Sequence, residues 1–135
     1  MKRQALFNPY KNSLKMKLHS VLWQNAAALA SSQTVRRVEL YAEIGRRQAY
    51  EITDQVAQEI AAMEAEAENC RQALPRFTTF RPDKDPTCPY CWIVKGERSA
   101  VAISSRPDLY RCPSCEGEYS VAPLPSVLAG QRTTS

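Results

Sequence analysis

Four of the five cysteines form two Cys-x-x-Cys pairs, Cys88 with Cys91 and Cys112 with Cys115, and twenty residues separate the pairs. Each pair places two thiols on one tight turn, and twenty residues are enough for a hairpin that brings the two turns together. Four thiolates around one ion form the tetrahedral shell that suits Zn²⁺. The spacing therefore predicts one structural zinc ion, with no open position for a catalytic water.

The segment from about residue 85 to 123 resembles the zinc ribbon family, because it has two such pairs and a proline after the first cysteine of each. The resemblance implies a small ribbon over residues 87–122. The sequence itself favours three antiparallel strands, near residues 100–104, 109–111 and 119–122. Members of the family often carry glycine directly after the second cysteine of a pair. Trp92 and Glu116 stand there in this chain, which leaves the geometry of the first pair open.

Three other interpretations of the paired cysteines are a disulfide, a thioredoxin-like redox motif and an iron–sulfur cluster. Redox pairs begin a helix, whereas both pairs here lie beside strand-like and proline-rich sequence. Reduced thiols indicate a cytoplasmic protein, and no apolar run approaches the roughly 20 residues of a membrane span. No catalytic motif accompanies the cysteines, and His19 is the only histidine, so we expect no enzyme.

Two helices, over about residues 9–30 and 35–74, are predicted to precede the ribbon. Asn8-Pro9 is a typical helix start, residues 31–34 are polar, and Pro75 should end the second helix. Apolar residues recur in heptads along the second helix and predict an interface. The predicted interface residues are Ile52, Val56, Ile60, Met63, Ala67, Cys70 and Leu74. The first helix could cover them as an antiparallel hairpin, or a second copy or another protein could bind through residues 35–74.

The expected fold class is therefore α+β, with a long-helix hairpin or coiled coil followed by a three-stranded zinc ribbon. The helical region is predicted to span residues 1–74. A linker over residues 75–86 should lack regular structure, with Phe77 and Phe80 packed on the ribbon or the helix end. Residues 123–135 are rich in proline, serine and threonine and are predicted to be disordered.

Charge is unevenly distributed along the 135 residues, although the net charge is only +4. Residues 1–38 carry seven bases and no acid, whereas residues 39–74 carry three bases and eight acids. A concentrated basic segment is typical of nucleic-acid binding, although solvated bases and aromatic residues in a small core explain the same pattern. The candidate contacts are Lys11, Lys15, Lys17, Arg36, Arg37, Tyr90, Trp92, Lys95, Arg98, Arg106 and Arg111.

These patterns favour a non-enzymatic zinc-ribbon protein that acts as a nucleic-acid-associated accessory or regulatory factor. The alternative is a protein-interaction adaptor, an accessory or inhibitory subunit of a larger nucleoprotein complex that uses its long helix. The acidic stretch over residues 39–74 favours the adaptor, because it would repel phosphates.

Overall fold

The computed structural model describes residues 9–121, with side chains from residue 17 onward. Helices precede a small antiparallel sheet, which confirms the predicted α+β class. The predicted tail over residues 123–135 lies outside the described residues. The elements are α1 (Pro9–Gln48), α2 (Asp54–Arg71), α3 (Ala73–Thr78), a π-helical turn (Cys91–Lys95), β1 (Ala102–Ile103), β2 (Leu109–Arg111) and β3 (Glu118–Ser120).

Helix α1 is 40 residues long and continues through the polar segment at residues 31–34, so the predicted break there is wrong. The hydroxyl of Ser32 donates to the carbonyl of Leu29 and that of Thr34 to the carbonyl of Ala30, each at 3.0 Å. Hydroxyls satisfied by the preceding turn do not need to cap a new helix. Among the described residues no helix, α1 included, combines the length and apolar character required to cross a bilayer.

The chain turns at residues 49–53 instead, so the helix predicted over residues 35–74 is wrong at both ends. Thr53 caps α2 by accepting a hydrogen bond from the amide of Val56 at 3.2 Å, and Asp54 follows in the first turn. At the other end, the ring of Pro75 would clash with the carbonyl four residues earlier, that of Arg71, where α2 ends. Pro75 lies in the first turn of α3, where its missing N–H is tolerated.

The carboxyl-terminal half of α1 packs antiparallel against α2. Leu40 forms a buried cluster with Ala67 and Cys70, and Met63 packs against it. Arg36 donates two hydrogen bonds to Glu66, and Arg47 pairs with Glu59 farther along the same interface. The hairpin is thus held by an apolar contact flanked by ion pairs.

This packing accounts for only the middle of the predicted heptad interface. Ile60, Ala67 and Cys70 are buried, and Val56 is half-buried. The two ends remain in solvent, since Ile52 is 50% exposed and Leu74 is 52% exposed. Binding of a partner through residues 35–74 stays a prediction.

The amino-terminal half of α1 shares a second, larger core with the ribbon. The rings of Trp23 and Phe77 lie 5.3 Å apart, and Phe80 is buried. The prediction that residues 75–86 lack regular structure is wrong, since α3 extends to Thr78; the expected packing of Phe77 and Phe80 is confirmed. The buried members of this core are Leu18, Leu22, Ala26, Ala30, Ala73, Phe80, Cys88, Cys91, Ile93, Val101, Cys112, Tyr119 and Val121.

The three strands form one antiparallel sheet in the order β1-β2-β3. Ala102 pairs with Arg111 across β1 and β2, and Tyr110 pairs with Tyr119 across β2 and β3. An isolated bridge between Thr87 and Ala100 ties the first cysteine pair to the start of the sheet. Both cysteine turns are therefore connected to one small sheet, and this sheet lies against α1.

Candidate metal centre

The four predicted ligand sulfurs lie together. The Sγ atoms of Cys88 and Cys115 are 3.6 Å apart, those of Cys91 and Cys112 are 3.7 Å apart, and all four lie within 4.8 Å of one another. A regular tetrahedron with Zn–S bonds of about 2.3 Å has edges of about 3.8 Å, whereas a disulfide bond is about 2.05 Å. The separations match one four-thiolate site and leave no room for a cluster of several metal atoms.

Each of the two close contacts joins one cysteine of the first pair to one of the second. Cys88, Cys91 and Cys112 are fully buried, and Cys115 is partly exposed. A cation at the centre would therefore connect the two turns through a largely dehydrated shell. The chemistry of the donors fits zinc, because soft thiolates in a tetrahedral array select Zn²⁺ or iron over hard cations.

The first cysteine pair has Trp92 and no glycine directly after its second cysteine, and the chain reaches a glycine only at position 96. After Cys91 the chain makes a π-helical turn that ends at Gly96, whose φ of 72° is left-handed. The amide of Gly96 then donates to the carbonyl of Trp92 at 3.1 Å. The backbone angle favours glycine, and a Cβ atom at position 96 would lie only 2.8 Å from the guanidinium of Arg76 and would displace it.

The second cysteine turn holds a non-glycine residue in the left-handed region. Glu116 has a φ of 64°, a conformation that costs a non-glycine residue roughly 1–2 kcal/mol. The turn is closed by the amide of Cys112, which donates to the carbonyl of Gly117 at 2.9 Å. The amide of Gly117 points back to Cys115 Sγ at 3.4 Å, a contact that stabilises a thiolate there.

Two hydroxyl groups also contact the sulfurs. The hydroxyl of Tyr119 lies 3.4 Å from Cys88 Sγ, and that of Ser99 lies 3.3 Å from Cys112 Sγ. As hydrogen-bond donors they would stabilise the deprotonated sulfurs that a metal requires. Neither residue could be identified from the sequence, because β3 and the loop before the sheet meet the cysteines only after folding.

The thiol environments differ in a way that these contacts explain. Burial raises the pKa of Cys88 and of Cys91. Burial also acts on Cys112, but the hydroxyl of Ser99 and the amides of Cys115 and Ser114 outweigh it and lower the pKa of Cys112 to about 6. These contacts favour the thiolate of Cys112, and metal binding would displace protons from the buried thiols.

Arg76 fastens the first cysteine turn to the helices. Its guanidinium donates to Asn69 Oδ1 at 3.0 Å and to the carbonyl of Ile93 at 3.1 Å. Asn69 donates to the carbonyl of Val94 at 2.7 Å, and the indole N–H of Trp92 donates to the carbonyl of Arg76 at 2.8 Å. Trp92 is therefore a structural anchor, and its indole is engaged within the fold.

Most of the basic residues proposed to meet nucleic acid contact other side chains of the chain. Arg106 pairs with Asp108 at 3.2 Å and Arg111 with Glu116 at 3.6 Å, while Arg98 lies over the ring of Trp92 at 4.4 Å. Of the other candidates, Arg36 pairs with Glu66 and Arg37 lies over Tyr41. Lys17 is half-buried, and Tyr90 and Lys95 are exposed. The side chains of Lys11 and Lys15 lie outside the described part of the chain.

A groove of about 440 Å³ opens beside the partly exposed ligand Cys115, between α1 and the ribbon. Asn25 and Leu29 of α1 form one wall, and Tyr90 and Glu118 lie on the ribbon side. No basic residue lines it, and Glu118 adds a negative charge. The groove is therefore not suited to a phosphate.

The four-sulfur geometry is compatible with a zinc-binding knuckle module held by Cys88, Cys91, Cys112 and Cys115. The donor set and the sulfur spacing together fit a tetrahedral thiolate site of the kind that zinc occupies in structural modules. No family model, no curated protein and no solved structure matches the chain.

Proposed function

We propose that this chain is a non-enzymatic, zinc-stabilised accessory protein that acts as an adaptor between macromolecules. The observation that carries the proposal is the shared core, in which the sulfurs of Cys88, Cys91 and Cys112 are buried with Leu22 and Ala26 of a 40-residue helix. Four thiolates complete a tetrahedral shell, so the ion would have no position for substrate or water. A metal-stiffened head on a long helix is a rigid platform for binding partners.

The exposed surface also supports an adaptor. Tyr50 is 79% exposed and Val38 is 67% exposed, both on the hairpin and far along α1 from the cysteines. Aromatic side chains are enriched at protein interfaces, whereas nucleic-acid interfaces are more polar and positively charged. The reduced cysteines of the proposed zinc site fit a reducing compartment such as the cytoplasm.

Affinity capture with the full-length chain tests the adaptor role. The zinc-loaded protein is compared with a Val38→Glu variant, which changes the exposed hairpin surface without touching the cysteines. An Ile103→Glu variant, at a position that is 59% exposed against 67% for Val38, serves as the control. We expect a defined set of proteins to be lost with Val38→Glu and retained with Ile103→Glu. Identical captured proteins for all three, or none above background, would argue against the adaptor.

Nucleic-acid association is the second candidate, and the uneven charge favours it. The seven bases of residues 1–38 are not balanced by any acid in that segment, and Tyr90 presents an exposed ring that could stack on a base. Binding of labelled RNA and single-stranded DNA, measured as salt is raised from ~50 mM, should then weaken with a steep log–log slope. Absence of binding at ~50 mM salt would reject this candidate and leave the adaptor.

A further inference from the structure

The four sulfurs of the metal centre differ in their access to solvent. Cys88, Cys91 and Cys112 are fully buried, whereas Cys115 is partly exposed. Cys115 lines the groove of about 440 Å³ between α1 and the ribbon, and the three buried cysteines do not. A small solute in the groove can therefore reach one sulfur of the site. Among the described residues that line the groove none is basic, so the groove favours an uncharged solute over an anion.

Gly117 keeps the sulfur of Cys115 open on the side of the groove, which it also lines. Among the described residues, a positive φ occurs at Gly96 and at Glu116, so this angle gives no reason for glycine at position 117. The space around it does, because an added Cβ atom would lie 3.3 Å from Cys115 Sγ and 3.3 Å from the hydroxyl oxygen of Tyr119. A side chain at position 117 would therefore cover part of the sulfur.

A second sulfur lies close enough to Cys115 to react with it after an oxidant has arrived. The Sγ atom of Cys88 is 3.6 Å from that of Cys115. The two residues belong to different cysteine turns, so a disulfide between them would join the turns that the metal ion otherwise connects. Cys88 is fully buried, and the groove does not expose it to the oxidant directly.

We propose that Cys115 is a modification site at which a hydroperoxide oxidises the metal centre. The thiolate of Cys115 attacks the peroxide, an S–O bond forms and the O–O bond breaks, which leaves a sulfenic acid and an alkoxide that takes a proton from water. The thiolate of Cys88 then attacks the sulfur of Cys115, so that an S–S bond forms and hydroxide leaves with a second proton. Two thiolates thereby lose two electrons, and the hydroperoxide becomes an alcohol and water.

This oxidation should release the metal and open the shared core. Only Cys91 and Cys112 would remain as ligands, and two thiolates do not complete the tetrahedral shell. The same core contains Leu22 and Ala26, so its loss would expose the apolar face of α1 to solvent. The inference rests on the zinc-stabilised part of the proposed function and is independent of the adaptor role.

Hydrogen peroxide added to the zinc-loaded full chain tests the proposal. A chromophoric indicator follows zinc release, a dione that traps sulfenic acids is added to one series, and peptide mass spectrometry locates the modified cysteines. We expect the first trapped sulfenic acid at Cys115 and, without the trap, a disulfide between Cys88 and Cys115 that forms in step with zinc release. Cys70, which is buried in the hairpin cluster, should stay unmodified.

Two variants test whether the groove controls the reaction. Gly117→Ala adds a methyl group beside Cys115 Sγ, and Asn25→Trp fills the groove from the side of α1. Both should slow zinc release several-fold, because oxidation of a thiolate follows its exposure. Gln24→Trp is the matched control, since Gln24 is exposed beside Asn25 but does not line the groove, and it should react like the parent. Zinc content and circular dichroism before treatment should match the parent for every variant.

A first sulfenic acid on one of the buried cysteines, or a first disulfide other than that between Cys88 and Cys115, would overturn the inference. Equal rates of zinc release for Asn25→Trp and Gln24→Trp would also overturn it, as would retention of zinc while a free cysteine in the same solution is oxidised. A chain that contains no zinc before peroxide is added would contradict the zinc-stabilised function itself, so the two failures are distinguishable.

Discussion

The hydroxyl of Tyr119 lies 3.4 Å from the sulfur of Cys88, inside the core that the ribbon shares with α1. Burial raises the pKa of Tyr119, so its hydroxyl keeps its proton at neutral pH and can serve as a donor. Burial raises the pKa of Cys88 overall, and the hydrogen bond from the Tyr119 hydroxyl acts in the opposite direction and lowers it.

Removing that hydroxyl should weaken metal binding while the fold persists. We expect Tyr119→Phe to lower zinc affinity about 10- to 100-fold, the usual effect of losing a hydrogen bond to a metal ligand. Competition with a chromophoric chelator measures the change. Tyr110→Phe, on the neighbouring strand and in register with Tyr119, is the control and should bind zinc like the parent. Equal affinity for both variants would show that the contact does not stabilise the site.

The five cysteines should divide into four ligands and one core residue. Cys112→Ser should abolish zinc binding and unfold the ribbon, because metal binding contributes about 10–16 kcal/mol in small zinc modules. Cys70 lies in the hairpin cluster with Leu40, so Cys70→Ala should keep one zinc and lose only about 1 kcal/mol of stability to a small cavity. Metal analysis and thermal unfolding distinguish the two variants. Loss of zinc from Cys70→Ala would contradict this assignment.

Removal of the metal should destabilise the amino-terminal half of α1 as well as the ribbon. Because Leu22 and Ala26 are fully buried against the core that contains Cys91, chelation should expose the amides of residues 17–30 as well as those of 87–121. The hairpin between residues 36 and 71 has its own cluster and ion pairs and should stay protected. Hydrogen exchange with and without a chelator tests this. Unchanged protection of residues 17–30 would mean that the ribbon folds independently of α1.

Arg76 lies in the segment that was predicted to be an unstructured linker, yet its removal should lower the free energy of unfolding. Its guanidinium donates hydrogen bonds to Asn69 Oδ1 and to the carbonyl of Ile93. Arg76→Ala would leave these partly buried acceptors unpaired, so we expect it to lower the free energy of unfolding by about 2 kcal/mol. Arg81, which is exposed and bonds to the carbonyl of Phe80, is the matched control, and Arg81→Ala should change stability by less than about 0.5 kcal/mol. Chemical denaturation compares them. Similar losses for the two variants would reject a special role for Arg76.

The ligands and the sheet could be predicted because their signals are local. Two cysteine pairs at metal-ligand spacing need no knowledge of the rest of the chain, and β2 was located at residues 109–111 as observed. The helix break was misplaced because residues 31–34 carry the same polar residue types that cap helices. In the fold, Thr34 bonds back to Ala30 inside α1, whereas Thr53 with Asp54 forms the actual start of α2.

Long-range contacts could not be predicted from local patterns. The sequence shows that residues 52–74 have an apolar heptad, but not that Leu40 of α1 covers its middle. It likewise contains Ser99 and Tyr119 without indicating that both reach the cysteine sulfurs, since 13 and 31 residues separate each from its partner.

Elemental analysis of the freshly purified full-length chain tests the central claim most directly. The four-sulfur site predicts one zinc per chain, retained through dialysis and released when thiol-modifying reagents block the cysteines. The sulfur separations of 3.6 and 3.7 Å should then appear as a single Zn–S shell of about 2.3 Å by X-ray absorption. A chain free of stoichiometric metal, or one in which mass spectrometry finds Cys88, Cys91, Cys112 and Cys115 linked by disulfides, would contradict the account.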